Sequence, residues 1–284
     1  MTDFCHITPT AYLDLFASGR THHLVLAHLI EEDEQYANWY ADTPRCLGST
    51  VIMDNSAFEM YKQGKPMYES DKLLSMGEKV KADYIVMSDY PGEPAKKTIE
   101  AAQKLAPIFH DAGFGTFFVP QAEVGNEEAV IESFRWASTA EEVDYIGVSI
   151  LTAPNAYGVE SGNNLQRFLS RWKLMQRLEE EGILEDAKDH GKLIHFLGMV
   201  DGPNEIALVA RWLEYIDTWD SSAAVWAGMC GIEFDNSPTG LINGKNEIEV
   251  DFDHNSATIK EFAASMRNMK YIDDQLEWPY GKFD

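Results

Sequence analysis

LIHFLGMVDGPNEIALVARWLEYIDTWDSS, residues 193–222, is the stretch that decides the fold. It opens on an apolar run, 193–199, of a length suited to a buried parallel strand. Asp201-Gly202-Pro203 supplies a turn, and Pro203 fits a helix start, where a missing N–H costs nothing. Ile206, Leu208, Val209, Trp212 and Leu213 then mark one helical face. A second strand over 215–219 runs into Asp220. The stretch is a βαβ unit with a carboxylate at the carboxyl end of its second strand. That edge is where parallel α/β folds place their chemistry.

The same unit recurs along the chain. Strands are expected at 23–28 (HLVLAH), 50–54 (TVIMD), 84–88 (YIVMS), 115–120 (GTFFVP) and 145–150 (YIGVSI). Helices are expected between them: at 70–82, with Leu73, Leu74, Met76 and Val80 facing the core; from Pro94 to Asp111; and at 127–138, capped by Asn126. A polar loop over 152–163 precedes a long helix at 165–182, and another helix at 256–269 closes the chain. The strand ends Asp54, Asp89, Gln121 and Ser149 recur at roughly 30 residues, the length of one βα repeat. Seven such units by Asp220 predict a single-domain (β/α)8 TIM barrel over 1–284. A doubly wound open sheet is the rival, although no G-x-G-x-x-G follows a strand as its dinucleotide-binding form requires. The eighth strand has two candidates, 231–235 (GIEFD) and 246–252 (NEIEVDF), with 241–245 as a hairpin turn.

Composition narrows the function. No run of 18 apolar residues is present, so no membrane span is expected, and the start MTDFCHITPT lacks the features of a signal peptide. Cys5, Cys46 and Cys230 are far apart and form no C-x-x-C pair, which argues against a disulfide framework or a zinc site and for a reduced, cytoplasmic setting. The histidines are scattered without metal-ligand spacing, and no phosphate loop occurs, so no cofactor is expected. A net charge of −24 repels nucleic acid and anionic membranes. An enzyme of nucleic acid with this charge needs a local basic patch or a protein partner that supplies one.

Asp54, Asp89, Gln121, Ser149 and Asp220 stand at five strand ends, and a barrel gathers such ends at one mouth. Carboxylates facing one cavity repel, so at least one should hold its proton more tightly, and a pair can divide the roles of nucleophile and acid or base. A side-chain amide beside them suits the edge of a planar heterocycle, because it both donates and accepts.

These residues carry a resemblance. Asp54-Asn55-Ser56-Ala57-Phe58 is similar to D-S-G-G-[FY], Ser88-Asp89-Tyr90-Pro91 to F-D-E-C-P, and Val119-Pro120-Gln121-Ala122 to I-V-Q-G. Ile146-Gly147-Val148-Ser149 is similar to a glycine-rich base-contacting strand, Leu197-Gly198-Met199-Val200 to L-M-G-V-G, and 216–221 to V-D-M-F-D-[CS]. In this order, over 54–224, the chain resembles the tRNA-guanine transglycosylases, and most of all their shorter relatives, the 7-deazaguanine DNA transglycosylases of phages and bacteria. The resemblance implies that Asp220 attacks C1′ of a flipped-out nucleotide and that Asp54 is the general acid and base. It implies that Asp89, Gln121 and the Gly147 backbone bind the base, with Ser149, Ser56 and Gly198 beside them. The substrates implied are nucleic acid, DNA ahead of tRNA, and a free 7-deazaguanine base; a phage origin with action in the host cytoplasm fits. The arginine-rich segment that follows the nucleophile in the tRNA enzymes is replaced by 222–228 (SAAVWAG), and the zinc motif C-x-C-x-x-C is absent, which favours a minimal or DNA-directed relative.

Other assignments stay open at this level. Asp220 and Asp54 could be helix caps, and Asp89 a turn residue. Asp235 also ends a strand-like run and rivals Asp220 as nucleophile. Arg167, Arg171, Lys173 and Arg177 form the densest basic cluster: either a phosphate-contacting helix face or the solvated side of a helix buried through Leu165, Phe168, Leu169 and Trp172. Lys62 and Lys65 are a second basic pair, and His195 reads as a satisfied core residue or a support to the site. A nucleoside or glycoside hydrolase on the same two carboxylates, and a non-catalytic barrel subunit of a modification complex, are the alternative functions.

Overall fold

The computed structural model describes residues 2–160, 162–200, 202–234 and 256–278. Eight parallel strands form one sheet: β1 (Asp3–His6), β2 (His22–Leu26), β3 (Thr50–Asp54), β4 (Tyr84–Val86), β5 (Gly115–Phe118), β6 (Tyr145–Ser149), β7 (Leu193–Leu197) and β8 (Thr218–Ser221). Each strand from β2 to β8 pairs with the next, and β1 pairs with β8, setting Cys5 beside Asp220. β1 and β2 lie side by side, so the sheet curls into a nearly closed (β/α)8 barrel.

The barrel follows from side-chain alternation. Successive strand residues point to opposite faces. Leu24, Ile52, Val86, Phe117 and Tyr145 fill the interior with Cys5 and Val119. Their neighbours Val25, Val51, Met53, Ile85, Phe118 and Ile146 pack outward against the helices. Two residues beyond an inward side chain comes another, so the same period points Asp54, Ser149 and Gln121 inward. A side chain at Gly147 would come within 2.7 Å of Phe117 and 2.9 Å of Leu197, so the interior requires glycine there.

At the amino ends of the strands a repeated device fixes the register. Asp83 accepts a hydrogen bond from the Val51 amide, Asp144 from Thr116 and Asp217 from Ile194, each at 2.8 Å. Each aspartate stands immediately before β4, β6 or β8 and ties it to the strand before it. Carboxylates at this end of the barrel serve stability, whereas those at the other end line a cavity.

Several boundaries differ from the sequence expectation. The eighth strand is β1, at the start of the chain. Residues 231–234 form no strand, and Asp235, 241–245 and 246–252 lie outside the described residues. The last strand begins at Thr218 rather than at 215. The 152–163 loop contains a short helix, Thr152–Ala156. The long helix Asn164–Glu180 buries Phe168, Leu174, Met175 and Leu178, while Leu165 is exposed. The final helix, Ile259–Glu277, starts with a capping box between Thr258 and Glu261. No described helix is long and apolar enough to cross a membrane.

Candidate active site

A cavity of about 430 Å³ opens at the carboxyl ends of the strands. Small-molecule sites span roughly 300–1,000 Å³. Asp54, Asp89, Gln121, Ser149, Gly198 and Asp220, from six different strand ends, all line it. Asn55, Glu59, His28, Phe58, Met199 and Trp226 are among the other residues of its wall.

Asp220 is 3% exposed, and one of its oxygens is committed. Oδ1 accepts from the Gly198 amide at 3.0 Å and lies 2.9 Å from His195 Nε2. Gly198 has a φ of 72°, which favours glycine and turns its amide toward the carboxylate. Its carbonyl accepts from the Trp219 indole at 2.8 Å and from Arg171 at 2.9 Å. Oδ2 has no hydrogen-bond partner among the described residues. A carboxylate with one oxygen held and the other free is arranged to act as a nucleophile.

Asp54 ends β3 and accepts a hydrogen bond from the Ser56 amide at 3.0 Å. Burial, then the charges of Glu59, Asp220 and Asp89, hold its carboxyl well above the usual carboxylate range. A carboxyl held this way is suited to proton transfer. Ser56 takes a φ of 58° at the position of a glycine in the D-S-G-G pattern. Its hydroxyl lies 2.9 Å from His28 Nδ1 and accepts from the His28 amide at 3.2 Å. Ser56 therefore shapes the wall and does not line the cavity.

Asp89 belongs to a buried amide array. Asn55 Nδ2 donates to Oδ1 at 2.7 Å, and Gln121 Nε2 donates to Oδ2 at 2.6 Å. The Thr152 hydroxyl lies 3.3 Å from Gln121 Oε1 and donates to the Pro120 carbonyl at 2.8 Å. Burial pushes the Asp89 carboxyl up to about 6, against the pull of Asn55 and Gln121. Such a group stabilises the fold fully below its unfolded value, near pH 4, and loses that contribution as pH rises through about 6. That loss amounts to roughly 3 kcal/mol. Urea unfolding between pH 4 and 8 should show this loss in the wild type and lack it in Asp89→Asn.

The basic cluster is not a continuous patch. Arg171 is fully buried and donates to the Leu197 and Gly198 carbonyls, which removes it from any surface a phosphate could reach. Arg177 pairs with Glu127, Glu128 and Glu181. Arg167 is partly exposed, and Lys173 is exposed with its ammonium 5.7 Å from the Tyr157 ring centre. Lys62 lies over the ring of Phe58, a residue of the cavity wall, and Lys65 is exposed nearby in sequence. Gly147 lies in β6 beneath the cavity rather than on its wall.

Glu59, His28 and the Arg171–Glu205 pair were not singled out from the sequence. Glu59 stands in the first turn of the helix Ala57–Gln63, directly after the Asp54 loop, and that position was its only signal. Arg171 carried a clearer one: it falls three residues after Phe168 and three before Leu174, inside the buried stripe. Among the described residues, no cluster of histidine, cysteine and carboxylate ligands is arranged to hold a metal ion. The chain matches no family model and no curated protein.

Proposed function

We propose that this barrel is a base-exchanging glycosyltransferase that replaces guanine in nucleic acid, DNA ahead of tRNA, with a 7-deazaguanine. The observation that carries the proposal is the division of labour between two carboxylates on one cavity. Asp220 has an uncommitted oxygen, and Asp54 holds its proton tightly. Asp220 Oδ2 bonds to C1′ as the bond from C1′ to the guanine nitrogen breaks. That nitrogen keeps the electron pair and takes the proton of Asp54. The entering base then gives its ring proton to the Asp54 carboxylate, its nitrogen attacks C1′, and Oδ2 leaves. The site ends the cycle as it began. The Asn55–Asp89–Gln121 array offers a carboxylate and an amide to the hydrogen-bonding edge of the base.

A second reading has one observation in its favour. A net charge of −24 suits a small uncharged substrate better than a polyphosphate, so a nucleoside hydrolase could use the same carboxylates with water completing the second step. The two are separated by incubating the protein with duplex DNA or tRNA and isotope-labelled guanine or 7-deazaguanine, then digesting the polymer to nucleosides for mass spectrometry. Label in DNA is expected. Label in tRNA alone would keep the chemistry and change the polymer. Free base released without incorporation would establish the hydrolase instead.

A further inference from the structure

Beneath Asp220 a chain of polar groups runs into the barrel interior. His195, on β7, is fully buried and places Nε2 2.9 Å from Asp220 Oδ1. Its Nδ1 lies 2.6 Å from the hydroxyl of Thr218, which lies 3.3 Å from the phenol oxygen of Tyr145. The Phe117 ring meets the imidazole edge-on at 5.4 Å. These groups come from β5, β6, β7 and β8 and face one another across the interior. An apolar residue at 195 would satisfy packing alone, so an imidazole bonded at both nitrogens calls for a different explanation.

We propose that His195 is a positioning residue for Asp220. A neutral imidazole, its hydrogen set on Nε2 by the Asp220 carboxylate and its Nδ1 bonded to the Thr218 hydroxyl, holds Oδ1 so that Oδ2 is the oxygen presented to the reacting carbon. The assignment rests on the base-exchange reading for its chemistry and on geometry for its tautomer. A carboxylate only accepts hydrogen bonds, so the nitrogen that faces Asp220 carries the hydrogen. Thr218 can then donate to Nδ1 and accept from Tyr145, and burial keeps that phenol protonated. The neutral form also suits the reaction. When Oδ2 becomes an ester oxygen, the Asp220 charge is consumed, and a neutral donor leaves no buried cation behind. Nε2–H and the Gly198 amide stay on Oδ1 throughout, so the carboxylate need not rotate between the two half-reactions.

The test combines kinetics with a measurement that needs no substrate. With duplex DNA and labelled guanine, Thr218→Val and His195→Ala should lower kcat about 10–100-fold, as the loss of an orienting partner does elsewhere. KM for guanine should be unmoved. His195→Gln, whose amide can still donate to Oδ1, should recover at least about tenfold over His195→Ala. Thr218→Ser, which keeps the hydroxyl, should behave as wild type even if His195→Ala does not fold. Wild-type kcat in Thr218→Val, or no gain from Gln over Ala, would overturn the proposal. Nitrogen-15 spectra of the resting protein should show His195 protonated at Nε2 and bare at Nδ1, with a shift in Asp220→Asn. The opposite tautomer would overturn it. Absence of exchange on any polymer, with the Nε2–H form present and responsive to Asp220→Asn, would remove the base-exchange reading and leave the pairing standing.

Discussion

Asp220→Asn should abolish base exchange, by on the order of 10⁴-fold or more, while the barrel stays folded. The loss is large because neither of the other two strand-end carboxyls can substitute for the nucleophile. Burial and neighbouring charge hold the Asp54 carboxyl well above the usual carboxylate range, which favours its non-nucleophilic protonated form, and Asp89 has both oxygens bound by Asn55 and Gln121. The fold should survive because an asparagine carbonyl can occupy the place of Oδ1 and keep the Gly198 amide and the His195 contact. Removing the Asp220 charge also relieves repulsion on Asp54. Asp54 should therefore titrate lower in the variant, which difference infrared spectra of the carboxyl band can read. Equal activity of Asp220→Asn and wild type would place the nucleophile elsewhere.

Glu205→Ala should be the most destabilising single replacement near the site. Glu205 and Arg171 are both 0% exposed, with Arg171 Nη1 3.1 Å from Glu205 Oε1. The guanidinium also lies over the Phe196 ring at 4.8 Å and binds the Leu197 and Gly198 carbonyls. Glu205 Oε2 accepts from the Val200 amide at 2.9 Å. Truncating Glu205 leaves a buried cation without its counter-charge, a change that costs about 3–5 kcal/mol. In a protein of this size that is a fall on the order of 10 °C in Tm. The paired change Arg171→Met with Glu205→Leu should recover much of the stability, since both charges leave the interior together. It should not recover exchange, because the 197–200 turn that presents the Gly198 amide to Asp220 loses its clamp. Calorimetry alongside the exchange assay checks both statements. Exchange restored with stability would show that the clamp has no part in catalysis.

What the sequence revealed depended on how local the signal was. Asp54, Gln121, Ser149 and Asp220 were legible because each follows an apolar strand in step with its inward residues. Asp89 was legible only as a strand-end carboxylate. It falls out of step with the inward Val86, so the two-residue period does not predict its direction, and Asn55 and Gln121 set its orientation. β1 was not legible. It is four residues, DFCH, and it pairs Asp3 with Thr218, far along the chain, so no neighbouring pattern announces it. The expectation instead sought the closing strand after β8, in 231–252. The charge of Arg171 groups it with its basic neighbours, whereas its place in the buried stripe marks it as interior.

The proposed exchange requires a covalent bond between Asp220 and the sugar, and that bond can be trapped. The protein is incubated with a guanine-containing duplex in the absence of any acceptor base, denatured, digested with protease, and the adduct located by mass spectrometry. The expected result is a nucleotide attached to the peptide that contains Asp220, absent from Asp220→Asn and discharged by added guanine or 7-deazaguanine. An adduct on another residue, or base exchange that proceeds with no adduct at any time point, would contradict it.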